Sequence, residues 1–241
     1  MRVFLILVFL SLVSGCPKSS PPETQPDQSV TAAAEEPAAS AAERPSVNPE
    51  LTAEALAPEG MGIATFAGGC FWCMEKPFEV IDGVKAVYSG YTAGPEVNPT
   101  YKEVAYGRTG HTEAVRIVYD PAKVEYELLL KVFWRNIDPT QVNGQFVDKG
   151  KQYRSGIYTH DAAQAAAVEA SLAEVRAKFD KPIVTEIQAA GPFYPAEEYH
   201  QDFYIKDPSH YQRYRSGSGR DAFLERVWGE EAGGYSLHGG K

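Results

Sequence analysis

Cys70 and Cys73 stand three residues apart in Gly68-Gly69-Cys70-Phe71-Trp72-Cys73, with two large aromatic side chains between them. Three residues is about one helical turn, so in a helix the two thiols share a face, near enough for a disulfide where the backbone allows. The run Ile63-Ala64-Thr65-Phe66-Ala67 reads as a short buried strand, and the glycines after it let the chain turn before Cys70 begins a helix. A thiol there faces unpaired backbone N–H groups and the positive end of the helix dipole, which lower its pKa. Cys70 is therefore expected as the attacking thiolate and Cys73 as its follower. Two plainer readings of the spacing stay open: a buried structural pair, and half of a zinc site for which the sequence offers no second cysteine pair. A staple is a poor explanation, because closing so short a loop removes little chain entropy.

A thiol pair does not name a substrate, and the other polar candidates are individually weak. Glu113 follows the loop Gly107-Arg108-Thr109-Gly110-His111-Thr112 at a loop-to-strand junction, a common place for a working carboxylate, though an exposed strand acid is the plainer reading. Tyr101, in Asn98-Pro99-Thr100-Tyr101, and Asp148 and Tyr153, in Asp148-Lys149-Gly150-Lys151-Gln152-Tyr153-Arg154-Ser155, are unremarkable taken singly.

Around these residues the chain predicts strands at 112–119 and 182–188 and helices at 126–134 and 162–179. In the 112–119 strand, Ala114, Arg116 and Val118 alternate against Val115, Ile117 and Tyr119. Strands and helices mix without a strict repeat, so a single α+β sandwich domain over residues 61–230 is expected, with a loose Gly-rich tail over 231–241. Before it, Met1-Arg2 and the apolar run from Val3 to Val13 read as an export signal, too short to be a permanent membrane span. Residues 17–60 are rich in Pro, Ala, Ser, Glu and Thr and cannot bury enough surface to fold, so they read as a tether. By the scaling for flexible chains such a tether spans roughly 35–40 Å. Its eight acids against Lys18 and Arg44 give −6 of the chain's net −9, and neither part has the charge of a nucleic-acid binder.

Two resemblances sharpen this. Leu12-Val13-Ser14-Gly15-Cys16 resembles the bacterial lipobox, which implies a signal peptide over 1–15, lipidation of Cys16 and a membrane-anchored protein of the cell envelope. From about Ala64 to Tyr214 the chain closely resembles the A-type peptide methionine sulfoxide reductases. The likeness rests on five motifs in the family's order: Gly69-Cys70-Phe71-Trp72, Asn98-Pro99-Thr100-Tyr101, Gly110-His111-Thr112-Glu113, Gln152-Tyr153-Arg154-Ser155 and Tyr199-His200-Gln201.

That family resemblance implies a ferredoxin-like two-layer core and an enzyme that reduces methionine-S-sulfoxide in oxidised proteins, and free methionine-S-sulfoxide. Cys70 would be the nucleophile, Glu113 the proton donor, and Tyr101 and Tyr153 hydrogen-bond donors to the sulfoxide oxygen. Phe71 and Trp72 would cup the S-methyl group, and Asp148 would position substrate or a water. Cys70 would end as sulfenic acid. Many relatives resolve it with cysteines in a C-terminal tail. This tail has none, and Cys73 stands where relatives often have glycine, which implies a Cys70–Cys73 disulfide reopened by a thioredoxin-like donor. No metal or organic cofactor is implied, and a monomer is expected. Two further departures are Thr112, where relatives often have alanine and little effect is expected, and Pro77, which should kink or restart the helix. His111 is expected to shape its loop, His200 to fasten the C-terminal segment, and Arg154 to pair with an acid. The alternatives are a thioredoxin-like thiol-disulfide exchanger and a non-catalytic lipoprotein that binds methionine-containing segments.

Overall fold

The computed structural model describes residues 58–235. The expected signal peptide, the lipidated Cys16, the tether up to residue 57 and the tail beyond residue 235 lie outside the described residues.

The described chain runs β1 (Gly62–Gly68), α1 (Phe71–Glu79), β2 (Val84–Thr92), α2 (Tyr101–Ala105), β3 (Thr112–Tyr119), α3 (Tyr126–Trp134), β4 (Gly144–Gln145), β5 (Asp148–Lys149), β6 (Ser155–Thr159), α4 (Ala162–Arg176), β7 (Glu186–Ala189), β8 (Phe193–Pro195), α5 (Phe203–Lys206), α6 (Pro208–Gly217) and α7 (Arg220–Trp228). Six strands form one sheet in the order β7-β6-β1-β3-β2-β8, antiparallel except for the parallel β6–β7 pair, and β4–β5 form a separate two-stranded ladder. This is the α+β arrangement expected from the sequence.

The alternation read in β3 sorts the two faces of the sheet. Val115, Ile117 and Tyr119 join Ala64, Phe66, Val87 and Tyr91 and the buried residues of α1, α3 and α4 in the main core. Ala114 lies on the other face, in a smaller cluster with Ala67, Tyr158 and Phe193. Every residue of β3 is buried, because β1 and β2 flank it and both faces are covered. Glu113 has the same parity as Val115, so it points toward the helical layer at the level of the first turn of α1.

Three expectations are corrected. The strand expected at 182–188 begins only at Glu186. Before it, Val184 N–H is spent on the Pro139 carbonyl, away from the β6 ladder. The tail expected to be loose from residue 231 is fastened through Tyr235: the buried Arg135 guanidinium binds Glu231 at 2.6 Å, Gly233 N–H donates to the Arg135 carbonyl, and Asn136 Nδ2 donates to the Gly233 carbonyl. Thr112, expected to matter little, is fully buried and its hydroxyl donates to the Gln152 carbonyl at 3.0 Å, tying β3 to the segment that carries Tyr153. No described helix is long and apolar enough to cross a membrane.

Candidate active site

Gly69 takes φ +85°, a left-handed turn in which a Cβ would also sit 2.5 Å from Gln145 Cβ, so only glycine delivers the chain from β1 into α1 here. The turn leaves Cys70 as the N-cap residue of α1, just outside the helix proper, with Cys73 one turn on and its N–H bonded to the Cys70 carbonyl at 3.0 Å. Both thiols are free and buried.

Pro77 does not break α1, which runs unbroken from Phe71 to Glu79. A proline lacks the N–H that would serve the carbonyl four residues back, which is that of Cys73. Arg215 Nη1, from α6, donates to that carbonyl at 3.1 Å instead. The expected kink is thus replaced by a side-chain donor, and the vacant helical acceptor binds the C-terminal helices to the thiol pair.

Glu113 Oε2 accepts the Phe71 backbone N–H at 3.0 Å. The carboxyl is 1 % exposed, and burial, assisted by Asp148 and Cys73, raises its pKa to about 8 against the pull of that hydrogen bond. It is therefore a protonated acid at neutral pH, as a proton donor requires and as the exposed-acid reading does not allow.

The same contact corrects the expected electrostatics of Cys70. The first helical N–H that would stabilise a thiolate is already taken by Glu113, and Cys70 is pushed well above the ordinary thiol range by burial, by its hydrogen bond with Cys73 and by Glu113. Cys73 moves the other way, to about 7, lowered by that hydrogen bond and by Arg220 and Arg215 against the cost of burial. Before substrate enters, negative charge on the pair rests on Cys73 and Cys70 keeps its proton.

The remaining candidates converge on this point. Phe71 is buried against Tyr91, Tyr101 and His200, with ring centroids 6.1, 6.4 and 5.0 Å away. Trp72 is half-buried. It stacks on Phe203 at 3.8 Å and donates from Nε1 to His200 Nδ1 at 3.2 Å. Burial lowers His200 to about 3, so it is a neutral acceptor that fixes the indole, in keeping with its expected fastening role. Tyr101 opens α2 behind a Thr100–Glu103 capping box, and its N–H donates to Glu197 Oε1 at 2.9 Å. Tyr153 closes a short 3₁₀ turn at 151–153, and its phenol is raised by burial, with Glu113, Tyr101, Cys70 and Asp148 adding to the rise. Asp148 accepts the Tyr214 hydroxyl, and burial raises its pKa while Tyr214, Arg220 and the Cys70 backbone N–H oppose the rise.

His111 is buried and bonds the Glu96 carbonyl at 2.7 Å, holding its loop as expected. Arg154 pairs with Glu186 at 2.9 Å. Single residues in the sequence gave no sign of Glu197, which holds Tyr101 N–H with one oxygen and the Tyr91 hydroxyl with the other at 2.8 Å. Tyr214, beneath Asp148, was equally hidden. Both lie far along the chain from the groups they support.

A buried acid, two phenols, an aromatic wall and a thiol pair are the groups that a thiol-dependent removal of oxygen would need. Residues 62–232 match the family model described as peptide methionine sulfoxide reductase. The chain is 54% identical over 175 residues to the peptide methionine sulfoxide reductase MsrA of Listeria monocytogenes serotype 4a, which covers 72% of this chain and 99% of that protein. It is 53% identical over 176 residues, with the same coverage, to the MsrA of Bacillus pumilus. Among solved structures, reduced Mxr1 from Saccharomyces cerevisiae matches with a TM-score of 0.60 at 34% identity, covering 63% of this chain and 88% of that one. Methionine sulfoxide reductase A of Corynebacterium diphtheriae matches with 0.58 at 36%, covering 63% and 77%.

The chain belongs to the peptide methionine sulfoxide reductase family, in its A type. It is an enzyme that returns methionine sulfoxide to methionine.

Proposed function

We propose that this chain reduces methionine-S-sulfoxide in oxidised proteins, and as the free amino acid, at a site where Cys70 attacks and Cys73 resolves. The observation that carries the reading is the buried, protonated Glu113 on the first N–H of the cysteine helix. Phe71 and Trp72 receive the S-methyl group. Tyr101 and Tyr153 hydrogen-bond the sulfoxide oxygen, and Glu113 gives it a proton as the Cys70 sulfur bonds to the substrate sulfur. The Cys70 proton replaces the one that Glu113 gives up, so the step needs no net proton and leaves Cys73 its charge. The oxygen then passes to the Cys70 sulfur: a Cys70 S–O bond forms as the substrate S–O bond and the Cys70–substrate S–S bond break, so methionine leaves and Cys70 is left as sulfenic acid.

Cys73 then attacks the Cys70 sulfur, an S–S bond forms as the S–OH bond breaks, and the oxygen departs with a proton as water. A thioredoxin-like dithiol reopens the disulfide through a mixed disulfide. Asp148, held by Tyr214, positions substrate or a water. No metal or organic cofactor takes part, and the enzyme works as a monomer.

The lipobox-like Leu12-Val13-Ser14-Gly15-Cys16 and the polar stretch after it support a protein made with a signal peptide over 1–15, lipidated on Cys16 and tethered to the bacterial envelope. Expressed full length, it fractionates with membranes, and Cys16→Ser releases it. A wild-type chain found in the soluble fraction would end that proposal.

The experiment for the chemistry mixes prereduced full-length protein, freed of reductant, with a peptide carrying each sulfoxide epimer separately. One methionine per enzyme from the S-epimer alone supports the reading. Equal turnover of both epimers, or none with intact disulfide-reducing activity, counts against it.

A further inference from the structure

Arg220, at the start of α7, is 1 % exposed, and no described carboxylate lies within ion-pairing distance of its guanidinium. Nη2 donates to the Gly68 carbonyl at 3.0 Å, Nη1 bonds the Asn136 carbonyl and lies 3.7 Å from Met74 Sδ, and Nε has no hydrogen-bond partner among the described residues. Its flat face rests on Phe146 at 4.6 Å. A Cβ on Gly69 would come within 3.2 Å of Nη2, so the cation lies directly under the turn that delivers Cys70. Burying a charge is costly unless it is paired, and the direct contacts of this one are neutral groups, two carbonyls, a thioether and a ring.

We propose that Arg220 is the counter-ion of the thiol pair, holding its negative charge on Cys73 and so readying Cys73 to close on the Cys70 sulfenic acid. The proposal rests on the reading that Cys73 resolves Cys70. Arg220 is a positioning residue that acts through Cys73 and touches no substrate.

Other groups face Cys73 as well. Cys70 adjoins it on the same helix, Glu113 comes from β3 and Asp148 from β5, and Tyr211, Tyr214 and Arg215 come from α6. Of these only Arg215 is cationic, and its guanidinium is engaged by Asp221 at 2.8 Å. Glu113 is neutral near pH 7, and Asp148, which also feels Arg220, is bonded by Tyr214 and forms no ion pair with it, which leaves Arg220 as the cation at the pair without a described ion-pair partner. A thiolate attacks sulfur where a thiol does not, so its population sets the rate of closure. In that step Cys73 S⁻ bonds to the Cys70 sulfur, the S–O bond breaks, and hydroxide takes a proton to become water. No outside reactant is needed.

The test follows disulfide closure after a single turnover in the full-length chain. Sulfenic acid on the Cys70 peptide and the Cys70–Cys73 disulfide are quantified by mass spectrometry from about pH 5.5 to about 9.5, a range that brackets the ordinary cysteine value. In wild type the closure rate is expected to rise with a midpoint near neutral pH. Arg220→Met is expected to close at least roughly tenfold more slowly near neutral pH and to recover at the alkaline end, while Arg220→Lys stays within about threefold of wild type. One methionine formed per enzyme in each variant reports an intact fold. A wild-type midpoint at or above the ordinary cysteine range of about 8.5 overturns the proposal without any variant. Arg220→Met closing like wild type at every pH also overturns it and leaves Cys73 as resolver. Wild type that forms no Cys70–Cys73 disulfide overturns both.

Discussion

Glu113 and Phe71 are joined by one hydrogen bond, from the first backbone N–H of the cysteine helix to a carboxyl oxygen at 3.0 Å. The contact fixes the carboxyl beside Cys70, the proposed nucleophile. It also removes a donor that would otherwise favour ionisation of Cys70, so acid and thiol both enter the reaction protonated. The site holds protons until a sulfoxide oxygen is present to take one.

Because Glu113 is raised to about 8, its acid form prevails below that pH and is lost above it. The rate of methionine formation in a single turnover should therefore fall as pH rises through about 8. Glu113→Gln should lower it by roughly 10²–10⁴-fold, the usual contribution of a positioned proton donor, and abolish that limb. Rapid-quench measurements on both proteins decide this.

Tyr101 and Tyr153 are expected to share the sulfoxide oxygen. Changing either to Phe should slow the first step by about 10- to 100-fold, and changing both should cost more than either alone, since each phenol partly covers for the other. The burst rate at saturating substrate is the readout, and an unchanged rate in the double variant would exclude both.

Half of this constellation was legible in the sequence because it lies in short contiguous motifs. The strand at 112–119 and the helix at 126–134 were also readable to the residue, their apolar periods being undisturbed. What could not be read was long-range satisfaction of polar groups. Nothing local says that Glu197 will hold Tyr101, or that Arg215 will serve the carbonyl which Pro77 leaves unpaired. The ionisation of Cys70 was misjudged for the same reason, since a helix start predicts free N–H groups only when no distant carboxyl has claimed one.

Arg215→Ala should destabilise the fold by about 1–3 kcal/mol, the cost of leaving a buried polar group unpaired. In a Pro77→Ala background the helix regains a backbone N–H at that position, which can bond the Cys73 carbonyl itself, so the loss should be smaller. Equal losses in both backgrounds, by urea unfolding, would show that the contact does not compensate for the proline.

Glu197→Gln leaves one of two donors, Tyr101 N–H or the Tyr91 hydroxyl, without its acceptor. Tyr101 should then be held less firmly, with a lower maximal rate and a modest fall in melting temperature. A fall in melting temperature at full activity would make Glu197 purely structural.

The central claim is that Cys70 alone performs the reduction and Cys73 only completes it. Its most direct test is a single turnover of methionine-S-sulfoxide peptide by the full-length Cys73→Ser and Cys70→Ser proteins, with sulfenic acid trapped and located by mass spectrometry. Cys73→Ser is predicted to form one methionine per enzyme and accumulate sulfenic acid on Cys70, while Cys70→Ser forms none. Methionine from Cys70→Ser, or none from a folded Cys73→Ser, would contradict the assignment.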